Sequence, residues 1–201
     1  MSRLNDTGGK QMSGVTGAAS LPADEVILER LQKRDPDAFR LLFEKYYNSV
    51  LGYSISFLGN PSTAEDVAQE VFVKVHEHAG SIRNTTKFKS WILSLTRNLS
   101  IDFIRKSKNR KELSISQPDF LDNLSQTRPE LSVEQDFHCN VSPRELPLLS
   151  SLNLMQREIV VLRIVEGMSY QEIAEITGCS PENTRKIMSR TIEKLTQKEG
   201  V

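Results

Sequence analysis

The chain has 201 residues, 26 Lys and Arg against 26 Asp and Glu, 38% hydrophobic residues and two cysteines. That length suits one or two domains, and no apolar run approaches the length of a membrane span. Cys139 and Cys179 are far apart, and His138 beside Cys139 falls well short of the four ligands of a zinc site, so no metal or cofactor is implied and a reducing, cytoplasmic setting fits.

Residues 1–23 are rich in Gly, Ser and Thr without an apolar core, which reads as a disordered extension and not as a secretory signal. Asp24 is expected to cap a short helix ending near Gln32. Asp35-Pro36-Asp37 then supplies an N-cap, a first-position proline and an acid in the first turn. The long helix that follows carries Phe39, Leu42, Phe43, Tyr46, Val50 and Tyr53 at helical spacing. Gly59-Asn60-Pro61 ends it and opens the next helix, which runs to about His78. There Val67, Ala68, Val71, Phe72 and Val75 form one broad apolar face. The opposite arc holds Asp66, Gln69, Glu70, Val73, His76 and Glu77. Val73 within an acidic arc reads either as an ordinary exposed valine or as the centre of a protein-binding face.

Residues 80–87 are loop-like. A fourth helix is expected from about Phe88 to Asn109, with Phe88, Ile92, Leu95, Leu99 and Phe103 toward the core. Trp91, Asn98, Asp102 and Arg105 run along its margin, with Arg97 just beyond. From Lys87 to Lys111 eight basic residues stand against one acid, Asp102. Cations beside aromatic rings suit a single-stranded nucleic acid, where charge holds the backbone and flat faces hold bases. Two plainer readings stay open: Phe88 and Trp91 as core residues, and the basic tail as a complement to the helix dipole. Residues 112–143 carry six acids against Arg128, with Pro118, Pro129 and Pro143, and read as a flexible acidic linker with a helical stretch near Leu131 to Phe137.

The C-terminal part is the most patterned. Asn153 caps a helix bearing Ile159, Val160, Leu162, Ile164 and Val165 that ends at Gly167. Ser169 and Glu172 form a capping box before a helix with Ile173, Ala174 and Ile176 inward. Gly178 stops it. Ser180 and Pro181 start another within about three residues, the layout of a helix-turn-helix. In the last helix Thr184, Ile187, Met188, Thr191 and Leu195 share one face. Asn183, Arg185, Lys186, Ser189 and Arg190 lie outside it. Arg can take guanine bidentately, Asn can take adenine, and both Lys and Arg can hold phosphates. The plain alternative is an amphipathic hairpin with a solvated basic face. The fold class expected is all-α: two small helical domains, 24–111 and 144–198, joined by the linker 112–143.

Leu154 to Ala174 resembles both region 4 of bacterial sigma factors and the C-terminal domain of LuxR-type activators. The rest of the chain decides between them. Asp37-Ala-Phe39 with Tyr46, Ala64-Glu-Asp-Val-Ala-Gln-Glu-Val-Phe72, and Phe88-Lys-Ser-Trp-Ile-Leu93 with Arg97, Asn98, Asp102 and Arg105 resemble region 2 of the extracytoplasmic-function (group 4) sigma factors, in the right order before Leu152 to Leu195. That resemblance implies a non-enzymatic transcription factor that directs core RNA polymerase to promoter DNA, with an anti-sigma factor as a further partner. It implies that Asp66, Gln69, Glu70 and Val73 dock the polymerase clamp. Lys87, Lys89, Trp91, Arg97, Asn98, Asp102 and Arg105 would read and open the minus-ten element, drawing one base into a pocket. Asn183, Arg185, Lys186, Ser189 and Arg190 would read the minus-thirty-five element, and the acidic linker would run toward the polymerase active centre. The last helix begins Ser180-Pro-Glu-Asn-Thr-Arg185 where the family often has Ser-Pro-Gly-Thr-Val-Lys. Arg144 to Glu199 holds eight basic and eight acidic residues, so this domain is expected to need core polymerase to hold DNA. The other readings are a stand-alone duplex-binding activator and an enzyme. For the latter there is no nucleophile–base pair, metal cluster or phosphate loop.

Overall fold

The computed structural model describes residues 21–82, 84–111, 149 and 151–199; the expectations for residues 1–20 and for the linker 112–143 lie outside the described residues. Seven α-helices are present there and no strand among the described residues. The first, α1 (Asp24–Gln32), has Ala23 at its N-cap and no side-chain cap. Asp24 is therefore not the cap expected. Its carboxylate instead faces the next helix, accepting from the Tyr46 hydroxyl at 2.6 Å and pairing with Lys45 Nζ at 2.8 Å.

Helix α2 (Pro36–Leu58) starts as its sequence dictates: Asp35 accepts from the Asp37 amide at 3.0 Å, and Pro36 follows. It stops at Gly59, whose φ of 65° suits a residue without Cβ. Asn60 then caps α3 (Pro61–His78) through the Thr63 amide at 3.1 Å. Two 3-10 turns, Ala79–Ser81 and Thr85–Lys87, lead into α4 (Phe88–Lys111). Ile27, Leu28, Leu42, Val50, Val71, Val75, Phe88 and Ile92 are the buried centre of this first unit. Two of the aromatic residues that recur at helical spacing are exposed, Phe103 among those expected toward the core. Phe43 is 38% exposed, lying against Tyr47 and Phe72 with ring centroids at 4.6 and 4.8 Å. Phe103 is 37% exposed, because from Ile101 to Ser107 no residue of α4 is fully buried.

The second unit begins with α5 (Leu154–Val160). Its capping box is reciprocal: the Gln156 amide donates to Asn153 Oδ1 at 2.9 Å, and the Asn153 amide donates to Gln156 Oε1 at 3.2 Å. The expected single helix to Gly167 widens instead into a π-helical turn at Val161–Val165. Gly167, at φ 69°, releases the chain into α6 (Tyr170–Thr177). Gly178, at φ 77°, ends α6, and α7 (Pro181–Glu199) follows.

The α6 cap is set by three bonds. The Glu172 amide donates to Ser169 Oγ at 3.3 Å, while the Ser169 amide and hydroxyl donate to Glu172 Oε2 at 2.8 and 2.6 Å. Those donors hold the Glu172 carboxyl below its ordinary range. The cap is therefore complete at neutral pH, and its contribution is lost only as pH falls through that lowered value. Ser169→Ala is expected to cost about 1 kcal/mol, a fall of about 2–4 °C in the thermal midpoint of a chain this size. An unchanged midpoint would show that the box contributes nothing.

The two units share one apolar cluster. Every residue of α2 from Ser49 to Phe57 is buried. A helix hidden all round needs neighbours on more than one side. Helices α3 and α4 cover one side of α2, and α5 packs on it from the second unit.

Candidate nucleic-acid interface

Helix α7 carries the candidate recognition face. Ser180 Oγ accepts from the Asn183 amide at 3.2 Å to start it. Thr184 and Thr191 are 0% exposed in its inner seam beside Met188. Their hydroxyls donate to the carbonyls of Ser180 and Ile187, at 3.0 and 2.7 Å. Back-bonding of this kind lets threonine occupy an apolar seam with its hydroxyl satisfied. Asn183, Arg185, Lys186, Ser189 and Arg190 are all exposed on the other side. The Arg185 guanidinium lies 5.3 Å from the centroid of the Tyr170 ring, and Arg163 lies 4.8 Å from the same ring. Tyr170 thus steadies Arg185 by a cation–π contact.

The charge balance of this unit hides a separation. Three of its carboxylates, Glu158, Glu166 and Glu175, face the first unit, away from the basic residues of α7. Lys87 Nζ lies 3.1 Å from Glu175 Oε2, with both side chains largely exposed. Lys89 Nζ pairs with the buried Glu166 carboxylate at 3.0 Å and donates to the Glu166 carbonyl at 2.7 Å. Arg97 Nε donates to Glu158 Oε1 at 2.5 Å, and the Tyr53 hydroxyl donates to the same oxygen at 2.9 Å. Glu158 is 2% exposed. Burial pushes its carboxyl above the ordinary range, and Arg97 offsets part of that. Burial, then the adjacent Glu158, pushes the Tyr53 phenol up as well. Beside this group Arg157 is 0% exposed, donating from Nε to the Leu152 carbonyl and from a terminal nitrogen to the Ser56 carbonyl, each at 3.2 Å.

The seven residues expected at the minus-ten element therefore divide. Lys87, Lys89, Trp91 and Arg97 lie along the seam between the units. Trp91 is half-buried against Phe88, ring centroids 5.7 Å apart, and borders a cleft of about 480 Å³ that Asn84, Ser94, Glu175 and Ile176 also line. Asn98, Asp102 and Arg105 form an exposed ridge, with Arg105 3.5 Å from Asp102.

Residues 42–110 match the family model described as Sigma-70 region 2, and residues 147–195 match Sigma-70, region 4. The chain belongs to the sigma-70 family. Among its relatives is the extracytoplasmic-function RNA polymerase sigma factor BldN of Streptomyces coelicolor, 28% identical over 173 residues, covering 85% of this chain and 64% of BldN. The RNA polymerase sigma-H factor of Pseudomonas aeruginosa is 26% identical over 179 residues, covering 86% of this chain and 91% of that one. The solved structure of the sigma factor RpoE of Bartonella quintana, in complex with the anti-sigma factor NepR, has the same fold: TM-score 0.66 and 20% identity over 82% of this chain and 98% of that one.

In this sigma factor the polar arc of α3 is open. Asp66, Gln69 and Glu70 are exposed, Val73 is 52% exposed, and Glu70 pairs with Lys74 at 3.3 Å. Phe43 of α2, packed on Phe72, is another exposed apolar side chain of the first unit. Sequence reasoning did not single out Tyr53, Glu158, Glu166 or Glu175 as interface residues. One signal was present: no charged residue occurs between Lys45 and Glu65. A helical stretch with no charge on any side is one that other elements cover. No described helix is long and apolar enough to cross a membrane, and no group of His, Cys, Asp and Glu among the described residues fits a metal ion.

Proposed function

We propose that the two units divide the work of promoter-directed initiation between them. As an alternative sigma factor, the chain binds core RNA polymerase, directs it to specific promoters and helps melt the minus-ten element. The first unit, 24–111, grips polymerase through Asp66, Gln69, Glu70 and Val73. It holds the opened strand with Lys87, Lys89, Trp91, Arg97, Asn98, Asp102 and Arg105. Unstacking a base costs a few kcal/mol, so melting is favourable only when cations and flat side chains compensate at the extruded strand. The second unit, 144–198, places α7 in the major groove of the minus-thirty-five element, with Asn183, Arg185, Lys186, Ser189 and Arg190 at bases and phosphates. The linker 112–143 tethers the two, its negative charge keeping free DNA off the polymerase channel. The work is that of a regulator with no catalytic group of its own, in the cytoplasm of a bacterium, and an anti-sigma factor, such as those bound to its structural neighbours, completes the partners.

The observation that carries this reading is the segregation of side chains on α7. All five polar and basic candidates are exposed together, on a helix whose other face is packed. Arg185→Ala is expected to weaken binding of the polymerase–sigma complex to an upstream promoter element by about 1–3 kcal/mol, roughly 5- to 150-fold. Titration on the promoter and on a scrambled duplex checks it. Equal loss on both would make Arg185 a phosphate contact and remove it from base reading. Co-elution with purified core polymerase tests the whole assignment: tight binding is expected, and a chain that binds duplex alone but ignores core would be a stand-alone activator.

A further inference from the structure

Three of the cations assigned above to the opened strand already have anionic partners. Lys87, Lys89 and Arg97 belong to the first unit, and Glu175, Glu166 and Glu158 to the second. The surfaces assigned to the other partners stay free in the same arrangement. Val73 is 52% exposed, and all five residues on the outer face of α7 are open. The contact between units therefore covers one function out of three. It is more than a surface ion pair. Glu158 and Glu166 are each 2% exposed as side chains, and Tyr53 joins Glu158 from the middle of the fully buried stretch Ser49–Phe57 of α2. The apolar cluster is continuous across the same seam.

We propose that the second unit is an intramolecular competitor for the opened DNA strand: Glu158, Glu166 and Glu175 take the places of strand phosphates on Arg97, Lys89 and Lys87. The inference rests on the functional reading above, since it is that reading which puts the strand on those cations. In the closed chain the strand and the second unit cannot hold the same groups at once. Strand capture then requires the units to part, while the α3 arc and the outer face of α7 are left uncovered by the contact. Linkage makes the effect reciprocal: whatever holds the units apart raises strand affinity, and the strand itself favours the open form.

Glu158 is a poor residue with which to test this. Burial already disfavours its charged form, so neutralising it relieves desolvation while it removes attraction to Arg97. Glu166 and Glu175 are better, because a lysine at either place repels Lys89 or Lys87. The probe is a short, fluorescently labelled single-stranded DNA of mixed sequence, titrated onto the full-length chain. The matched control is Glu44→Lys/Glu193→Lys, which makes the same change in net charge at exposed sites away from the seam. Glu166→Lys/Glu175→Lys is expected to bind the strand roughly tenfold tighter than that control, as two freed cations reach phosphates. Trp91, the sole tryptophan, borders the cleft between the units and reports opening directly. Its emission should shift to longer wavelength in the reversal variant, and in the wild-type chain on adding the strand. Should the double variant fail to fold, Glu175→Lys alone, at an exposed site, keeps the same expectations at smaller amplitude. Equal strand affinity in the reversal variant and its control, with Trp91 emission unchanged in both, would overturn the proposal. That result would leave the functional reading standing, whereas a wild-type chain that gives core polymerase no promoter activity would remove the reading itself.

Discussion

Val73→Glu is expected to weaken binding to core RNA polymerase roughly thirtyfold, about 2 kcal/mol, the loss typical of a central interface residue. Val73 is 52% exposed in a row with Asp66, Gln69 and Glu70 on α3, while the opposite side of that helix is buried. A valine rimmed by acids offers a partner an apolar contact at the centre and carboxylates that meet its cations at the edge. Glutamate there adds a charge that the interface would have to desolvate without a partner. The fold should be indifferent, since an exposed side chain away from any cap or core contact changes stability by no more than about 0.5 kcal/mol. Anisotropy titration of labelled chain with purified core measures the affinity, and a thermal melt checks the fold. Unchanged affinity with an unchanged melt would remove the α3 face from the interface.

Arg157→Ala is expected to cost about 3–5 kcal/mol, the largest stability effect among the substitutions considered. Arg157 is 0% exposed and joins the units, donating to the carbonyl of Leu152 in its own unit and of Ser56 in α2. Hydrogen bonds from a charged donor are each worth about 1.5–3 kcal/mol, and truncation also leaves buried carbonyls unpaired and a cavity behind. The loss falls on the seam, so the second unit should detach before the first unfolds, and the melt should become biphasic. Arg157→Lys should recover little, because an ammonium on a single stem lacks the planar fork that reaches two carbonyls. Calorimetry of the full chain decides: one transition at the wild-type midpoint would show that Arg157 does not hold the units together.

Local chemistry made most of the helices legible. Asp35, Asn60, Asn153, Ser169 and Ser180 cap where expected, and Gly59 and Gly178 stop helices in the left-handed region. These are interactions within a few residues, which spacing reveals. The segregation of α7 was legible for the same reason, one period sorting both its packed and its open face. What failed depended on neighbours distant in sequence. Asp24 looked like a cap because cap chemistry is local, yet Tyr46 and Lys45 draw its carboxylate away. Phe103 keeps core spacing, but α4 has left the core by that point. The π turn at Val161–Val165 has no residue signature that separates it from an α-helix. The seam between the units was the largest omission. Glu158, Glu166 and Glu175 look like solvated acids on amphipathic helices, and only the fold shows them on Arg97, Lys89 and Lys87.

Run-off transcription by purified core polymerase, with and without the chain, on a library of genomic fragments tests promoter-directed initiation itself. Discrete transcripts that require the chain are expected, from templates sharing two sequence blocks at a fixed separation, and they should be lost with Val73→Glu. Transcripts that are the same in number and start site with and without the chain would contradict that function.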